Sequence, residues 1–516
     1  MTNVRTSGIL LHPTSLPGRW GIGDLGQPAY TFIDFLHAAG QQLWQVMPLG
    51  PTGYGDSPYQ GFSAFAGNPL LISIDLLLQE QLLAAQDLAG VPDLPAEHVD
   101  YGAVIPFKLA VLRRSFERFK RTATSAQRED FASFRAEQRS WLADYTLFAA
   151  IKEAHGGANW NTWEPAIARR EPPAVGEWGS RLSDQIEFHA YMQFQFFRQW
   201  RALKAYANER GIRIIGDIPI FVAYDSADVW GNRQNFELDE SGSPTVVAGV
   251  PPDYFSVTGQ LWGNPLYRWD VLRERGYDWW IERFRTTLTL VDIARIDHFR
   301  GFAAYWEVPA SETTAINGRW VAGPGLALFE ALREALGGLP IIAEDLGVIT
   351  PDVEALRDDL GFPGMKVLQF AFSGDPDDLY LPHNYQRQCV VYTGTHDNDT
   401  TLGWWRGLPP QDQHNVRLYL GRDGRDVSWD FIRLALASVA ETGIVPMQDV
   451  LGLGSEGRMN TPGRAGGNWG WRYTPGMLTV DLAKRLGELT AVYGRAPRVA
   501  KPAANEDLEQ VEQQEG

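Results

Sequence analysis

The sequence predicts an α/β protein built on a (β/α)8 TIM barrel, with large, mostly helical insertions between strands and no C-terminal β-sandwich domain. Short apolar runs recur along the chain, each ended by Gly, Pro or a polar cluster, and helical segments separate several of them. Eight such runs favour a closed parallel barrel over an open sheet. Too little sequence follows the eighth run to form a further β-domain.

The candidate strands are short and rich in apolar residues, as expected of strands buried on both faces. In chain order they cover residues 8–11, 43–47, 212–216, 291–296, 340–343, 367–370, 390–392 and 444–447. Helical patterns cover residues 30–39, 190–210, 279–288, 326–336 and 431–441. Strands that alternate with helices in this way predict parallel βα units.

The spacing of these elements is uneven, which indicates insertions into one catalytic barrel over residues 1–500. Residues 68–200 contain helical, charged stretches and predict a helical subdomain. Residues 225–280 are rich in Gly, Pro and aromatic residues and predict an aromatic loop subdomain. The acidic, polar residues 501–516 predict a disordered tail.

Composition excludes several classes of function. The chain has 516 residues and a net charge of -17, which argues against nucleic-acid or anionic-membrane partners. No stretch is long and apolar enough to span a membrane, and the N-terminus lacks an apolar signal region, so we expect a cytoplasmic protein. The single Cys389 excludes an internal disulfide and a cysteine-based zinc site. We expect no cofactor or metal, and a monomer.

The most informative segment runs from Arg295 to Gly301, directly after an apolar run. Arg295 and Asp297 are two residues apart, so on a strand both point to the same side. An arginine beside a carboxylate lowers its pKa and holds it ionised. An ionised carboxylate at the end of a barrel strand is what a glycosidic nucleophile requires. A structural ion pair is the alternative that this segment alone leaves open.

Acidic residues follow four of the predicted strands, namely Asp217, Asp297, Glu344 and Asp397. The carboxyl ends of barrel strands converge on one site. Clustered carboxylates serve glycosyl transfer, in which one attacks the anomeric carbon and another, held protonated, gives its proton to the leaving oxygen. A metal site is the rival use, but no tight ligand spacing is present. Of the adjacent Glu344 and Asp345, only one can face the substrate.

The segments around these acids resemble one family, the 4-α-glucanotransferases of glycoside hydrolase family 77 in the α-amylase clan. The matching stretches are residues 8–17, 48–59, 216–222, 249–256, 263–267 and 395–400, with the segments around Asp297 and Glu344. The resemblance runs from about residue 7 to residue 486. It implies an enzyme that transfers α-1,4-glucan segments from a maltodextrin or starch donor to a sugar acceptor, releasing glucose or forming cyclic glucans.

The resemblance also implies a role for each matching residue. Asp297 would be the nucleophile of a retaining double displacement through a covalent glucosyl intermediate, and Glu344 the general acid and then the base. Asp397 would bind sugar hydroxyls and stabilise the transition state. The other implied substrate-binding residues are Tyr59, Asp217, Arg295, His298 and His396 around the reacting sugar, and Tyr54 and Tyr101 at a more distant glucan site.

Two aromatic loops favour transfer of the glucosyl unit to a sugar rather than to water. The first carries Tyr254, Phe255 and Trp262, and we expect it to overhang the site, exclude water and stack on the acceptor. An ordinary packed insertion is its alternative interpretation. The second loop, residues 463–471, contains Asn468 and is expected to close on bound glucan.

Two other functions stay open at the level of sequence. An α-glucan hydrolase could use the same carboxylates, and it would release reducing ends without building longer chains. A non-catalytic glucan-binding protein could share the scaffold, but it would be expected to lack Asp297 or Glu344, and both are present.

Overall fold

The computed structural model describes residues 5–253 and 256–497. Its centre is a barrel of eight parallel strands in the order β6-β7-β8-β1-β2-β3-β4-β5. The strands are β1 Thr6–Leu10, β2 Leu43–Gln45, β3 Arg213–Pro219, β4 Ile293–Asp297, β5 Ile341–Ala343, β6 Gly364–Val367, β7 Cys389–Tyr392 and β8 Thr442–Pro446. The barrel fold predicted from the sequence is confirmed.

The two ends of the sheet, β5 and β6, meet through polar contacts. The backbone N–H of Ala343 donates to the carbonyl of Pro363 over 3.0 Å. The N–H of Met365 donates to Asp345 Oδ1 over 2.7 Å. A Cβ on Gly364 would lie 2.3 Å from Asp345 Oδ2, so this junction requires a glycine. The contacts bring the carboxyl end of β5 beside β6 and complete the barrel.

One predicted strand was placed too late in the chain. The prediction put the sixth strand at residues 367–370, but β6 is Gly364–Val367 and Leu368–Phe370 form a 3-10 turn. The prediction missed the start of the strand because its first residue is Gly364, and a glycine contributes nothing to an apolar pattern. The helix predicted at residues 431–441 is likewise Val427–Ala437.

Helices surround the barrel, and residues at their ends mark where some of them begin and stop. Around the strands lie Gln27–Ala38, Asp278–Leu290, Leu326–Leu336, Pro351–Leu360, Val427–Ala437 and Val480–Val492. In Pro351–Leu360, which joins β5 to β6, a proline opens the first turn and Gly361 follows the last residue at φ 71°. The other helices after β3 are Ala227–Gly231, Trp269–Glu274, Thr401–Gly407, Pro410–Leu420 and Met447–Val450.

The chain between β2 and β3 is helical. It contains Ile74–Gln79, Tyr101–Thr122, Ser125–Glu137, Leu142–Ala154, Pro165–Ala168, Pro172–Arg181 and Ser183–Glu209. The last of these returns the chain to β3, and its Trp200 donates from Nε1 to the carbonyl of Leu290 over 2.7 Å. We propose that residues 68–200 form a helical insertion within one catalytic unit over residues 1–500; the predicted tail at residues 501–516 lies outside the described residues.

The region predicted as an aromatic loop insertion, residues 225–280, contributes to a second sheet. This four-stranded antiparallel sheet has the order Gln260–Pro265, Val246–Val250, Ala304–Pro309, Arg319–Ala322. Two of its strands come from the loop after β3 and two from the loop after β4. The sheet therefore anchors the aromatic residues of residues 225–280 beside the carboxyl ends of β3 and β4.

The barrel interior is apolar and reaches up to the site. One cluster of buried side chains takes a residue from most strands: Leu10, Leu43, Ile215, Ile342, Val367, Val390 and Ile444. The same cluster continues to Trp469 and contacts Tyr59. Cys389 is buried, as its apolar surroundings predict. None of the described helices combines the length and apolar composition needed to cross a membrane.

Candidate active site

The carboxyl ends of β3, β4 and β7 open into a cleft of about 240 Å³. Six residues predicted for the site line it: Tyr59, Trp262, Asp297, His298, His396 and Asp397. Asp217 and Arg295 lie directly beneath it, buried behind Tyr59 and Asp297. Glu344 follows β5 and is bonded to the backbone of His298. The acids at the carboxyl ends of four separate strands are therefore gathered at one end of the barrel.

Arg295 links two carboxylates at the floor of the cleft. Its Nη1 lies 2.5 Å from Asp217 Oδ2 and 3.0 Å from Asp297 Oδ1. The hydroxyl of Tyr59 donates to the same Asp217 oxygen over 2.7 Å. Arg295 is 4 % exposed, so its charge acts on both acids with little screening by water. The alternation along β4 places Arg295 and Asp297 on one side of the strand, as predicted.

The electrostatic balance at Asp297 differs from the expectation that Arg295 would depress its pKa. Arg295 and His396 do lower it, but desolvation in the cleft is the larger effect, and the charge of Asp217 adds to it. The net result raises the pKa of Asp297 to about 6. Burial could not be derived from the local sequence, which is why the expected direction was wrong. At neutral pH the carboxyl group is still mostly ionised.

The pKa of Glu344 is raised further above its ordinary value than the pKa of Asp297. Desolvation, and after it the negative charge of Asp297, raise the pKa of Glu344 to about 8. Arg295 and two backbone N–H donors oppose this shift: His298 N lies 2.6 Å from Oε2 and Leu346 N lies 2.9 Å from Oε1. Glu344 is therefore mostly protonated at neutral pH. Two neighbouring carboxyl groups whose environments separate their pKa values form an acid and a base or nucleophile.

His298 joins the strand of Asp297 to Glu344. It has φ 53°, in the left-handed region, directly after β4. This conformation costs a non-glycine residue about 1 kcal/mol or more and is characteristic of functional sites. It aims the backbone N–H at Glu344 while the imidazole meets the edge of Trp262, with ring centroids 4.7 Å apart. Desolvation lowers the pKa of His298 to about 3, so the ring is neutral.

Asp397 and His396 form the opposite wall. The ring of His396 stacks on Tyr59, with centroids 5.1 Å apart and planes inclined by 13°. Asp397 Oδ1 accepts a hydrogen bond from Asn460 Nδ2 over 2.7 Å and lies 3.5 Å from His396 Nε2. The Asp397 side chain is 48 % exposed, so its carboxylate keeps acceptor capacity for hydroxyl groups in the cleft.

The adjacent Asp345 faces away from the cleft. Its carboxylate pairs with Arg357 over 2.5 Å and accepts from Met365 N. The alternation of side chains after β5 thus separates Glu344 from Asp345, as predicted, and leaves Asp345 with a structural role.

Three of the predicted substrate-binding residues lie neither in the lining of the cleft nor directly beneath it. Asn468 uses its amide within its own loop, accepting from Thr461 N over 3.0 Å and donating to Arg464 O over 2.9 Å. The hydroxyl of Tyr101 donates to the carbonyl of Trp469 over 3.0 Å. Tyr54 is 77 % exposed. Tyr254 and Phe255, also predicted for the site, lie outside the described residues.

Several residues that line the cleft were not singled out from the sequence, among them Gln60, Gln260, Asn460 and Pro462. Trp469 also lines the cleft, and it belongs to the aromatic loop over residues 463–471 that the sequence predicts to close on bound glucan. The indole of Trp469 lies 5.8 Å from the ring of Tyr59 and 5.9 Å from that of His396. No local pattern distinguishes Asn460, whose role depends on how the loop after β8 folds over Asp397.

The chain is similar to known proteins over most of its length. The family model described as 4-alpha-glucanotransferase matches residues 11–479. The 4-alpha-glucanotransferase of Synechocystis sp. is 55% identical over 501 residues, covering 96% of this chain and 99% of the relative. That of Thermus thermophilus is 54% identical over 490 residues, covering 93% and 97%.

A solved structure extends the similarity to three dimensions. The amylomaltase from Streptococcus agalactiae in complex with acarbose matches with a TM-score of 0.93 at 41% identity, covering 96% of this chain and 100% of that one. Because the similarity spans nearly the whole chain and includes the barrel that carries the cleft, the chain belongs to the 4-alpha-glucanotransferase family.

Proposed function

We propose that this chain transfers α-1,4-glucan segments between maltodextrin or starch chains by a retaining double displacement. The observation that carries the proposal is the pair Asp297 and Glu344. The first is mostly ionised and the second mostly protonated at neutral pH, and both lie at the carboxyl ends of neighbouring strands. This is the protonation pattern that a nucleophile and a general acid require.

The first step breaks the donor glycosidic bond. Asp297 attacks the anomeric carbon while Glu344 gives its proton to the departing glycosidic oxygen, leaving a glucosyl ester on Asp297. In the second step the Glu344 carboxylate takes the proton of an acceptor hydroxyl, which attacks the same carbon and releases Asp297. Two inversions return the anomeric configuration to α. Maltooligosaccharides, amylose or glucose serve as acceptors.

The surrounding residues adjust charge and position. Arg295 pairs with Asp297 and Asp217, which holds the nucleophile toward the cleft and balances the carboxylate released in the second step. Asp397, fixed by Asn460, binds sugar hydroxyls and opposes the positive charge of the transition state. His298 and His396 bind hydroxyls of the same sugar, which Tyr59 also lines. Asn468, Tyr54 and Tyr101 remain proposed glucan contacts outside the cleft.

Transfer rather than hydrolysis depends on aromatic cover over the intermediate. Trp262 lines the cleft against His298, and Trp469 lines it beside Tyr59. We attribute exclusion of water to these indoles, together with Tyr254 and Phe255, which precede the strand of Trp262 in the sequence.

The assay that tests the function uses maltotriose alone. The wild-type chain should produce glucose and a ladder of longer maltodextrins, because a second maltotriose is the acceptor.

Trp262→Ala should raise the ratio of reducing ends formed by hydrolysis to products of transfer, about two- to tenfold, because water then competes for the ester. Trp178→Ala, in the helical insertion, is the control and should keep the wild-type ratio. An unchanged ratio in Trp262→Ala would contradict the shielding role; a wild type without a ladder would contradict the function.

The pH dependence of kcat/KM should be bell-shaped. The active form has Asp297 ionised and Glu344 protonated. Activity should therefore rise as pH passes about 6, where Asp297 loses its proton, and fall as pH passes about 8, where Glu344 does. The two limbs report the pair rather than either residue alone, because the charges interact. Initial rates with maltotriose across this range check the prediction, and a profile without an alkaline fall would contradict the role of Glu344.

A further inference from the structure

One tryptophan is left exposed although the chain buries the rest of its indoles wholly or in part. The sequence contains 19 tryptophans, all of them among the described residues. Trp320 is the most exposed of them, with 41 % of its surface accessible. It lies on Arg319–Ala322, the edge strand of the four-stranded antiparallel sheet. Its exposed surface is therefore available to a ligand.

The indole of Trp320 is held in place by two neighbouring side chains. The guanidinium of Arg300 lies over the ring, 3.8 Å from its centroid. Trp306, its direct partner on the neighbouring strand, meets it edge to face at 5.2 Å. Trp306 is itself fixed by donation from Nε1 to the carbonyl of Ala315 over 2.9 Å. These contacts hold the ring in one orientation, while 41 % of the Trp320 surface stays accessible to a ligand.

The same contacts place this ring beside the catalytic loops. Arg300 follows Asp297 by three residues and is buried, at 5 % exposure. Its Nη1 donates to the carbonyl of Val348, in the loop that begins at Glu344. The platform formed by Trp320, Arg300 and Trp306 therefore stands against both segments that carry the catalytic pair.

We propose that Trp320 is a stacking platform for a glucan chain outside the cleft, used by long substrates and not by short ones. The cleft of about 240 Å³ has room for only part of an amylose chain, so the remaining sugar units lie outside it. The flat aromatic surface of an indole suits the C–H face of a pyranose. The inference rests on the proposed function for the identity of the ligand.

Fluorescence quenching tests the platform directly. In an Asp297→Asn background, which prevents turnover, acrylamide should quench Trp320 strongly because it is the exposed indole. Soluble amylose should shield one component of the tryptophan fluorescence from acrylamide. Saturating maltotriose should leave the same component open to quenching. Trp320→Phe should lack that component. Trp178→Phe, which removes another indole covered by an arginine (Arg181, 4.6 Å from the ring), should retain it.

Kinetics give an independent reading. Trp320→Ala should lower the ratio of kcat/KM for amylose to kcat/KM for maltotriose about two- to tenfold, and Trp320→Phe, which keeps a ring over Arg300, should restore most of it. Equal losses with both substrates, or an unchanged ratio, would overturn the proposal. Protection that grows with protein concentration without amylose would also overturn it, because the occupant would then be a second copy of the chain. All of these results leave the maltotriose ladder unaffected as a test of the proposed function.

Discussion

Asp297→Asn is expected to lower kcat at least about 10⁴-fold while leaving the Kd for maltotriose within about threefold. Asparagine has nearly the same shape, but its amide cannot form the glucosyl ester. Arg295 keeps Asp217 as a partner at 2.5 Å, so the floor of the cleft should stay assembled. Glucose release measures kcat, and titration calorimetry measures the Kd.

The same variant should also change the pKa of Glu344. The charge of Asp297 contributes to the raised pKa of Glu344. Removing that charge should lower the pKa of Glu344, which a titration of the carboxyl group by NMR or infrared difference spectroscopy can detect. Asp228→Asn, which changes a buried acid outside the cleft, is a matched control and should retain turnover. An Asp297→Asn enzyme that keeps more than about a tenth of the wild-type kcat would contradict a nucleophilic role.

Glu344→Gln is expected to lower kcat with maltotriose about 10²–10⁴-fold, because the leaving oxygen no longer receives a proton. The loss in the first step should be far smaller with α-glucosyl fluoride, since fluoride departs without protonation. Burst kinetics with the fluoride separate formation of the ester from its transfer. Glutamine keeps only one acceptor oxygen, so it retains one of the two hydrogen bonds from His298 N and Leu346 N, and the rate with the fluoride shows whether the cleft stays assembled.

The pH profile of Glu344→Gln adds a control within the same enzyme. Its alkaline limb should vanish in the first step, while the acidic limb that belongs to Asp297 should persist. Equal losses with maltotriose and with the fluoride would show that Glu344 acts on the structure of the cleft rather than on the leaving group.

Much of the fold could be predicted because buried parallel strands leave a strong local pattern. Short runs such as 390–392 and 444–447 are apolar on both faces, and their ends are marked by polar residues. The sixth strand was misplaced because it starts at a glycine required by contact with Asp345. The antiparallel sheet was not predicted, since its strands come from two loops that are separated in the sequence by β4.

The residues of the site also differ in whether the sequence predicts them. The acids at strand ends were predictable, because the barrel itself brings those ends together. Asn460 was not, because it reaches the cleft through the path of the loop after β8. The direction of the pKa of Asp297 also depended on burial, which a neighbouring arginine in the sequence does not report. The charge pattern of the sequence identifies the catalytic acids, whereas their desolvation in the folded chain determines which of them is protonated.

The central claim is that Asp297 carries the transferred sugar. The measurement that tests it most directly is mass spectrometry of the enzyme after reaction with a fluorinated glucosyl fluoride, which slows breakdown of the ester, in the Glu344→Gln background. The account predicts one glucosyl adduct per chain, on the peptide that contains Asp297, released when a maltooligosaccharide is added. An adduct on another residue, or efficient turnover without any adduct, would contradict it.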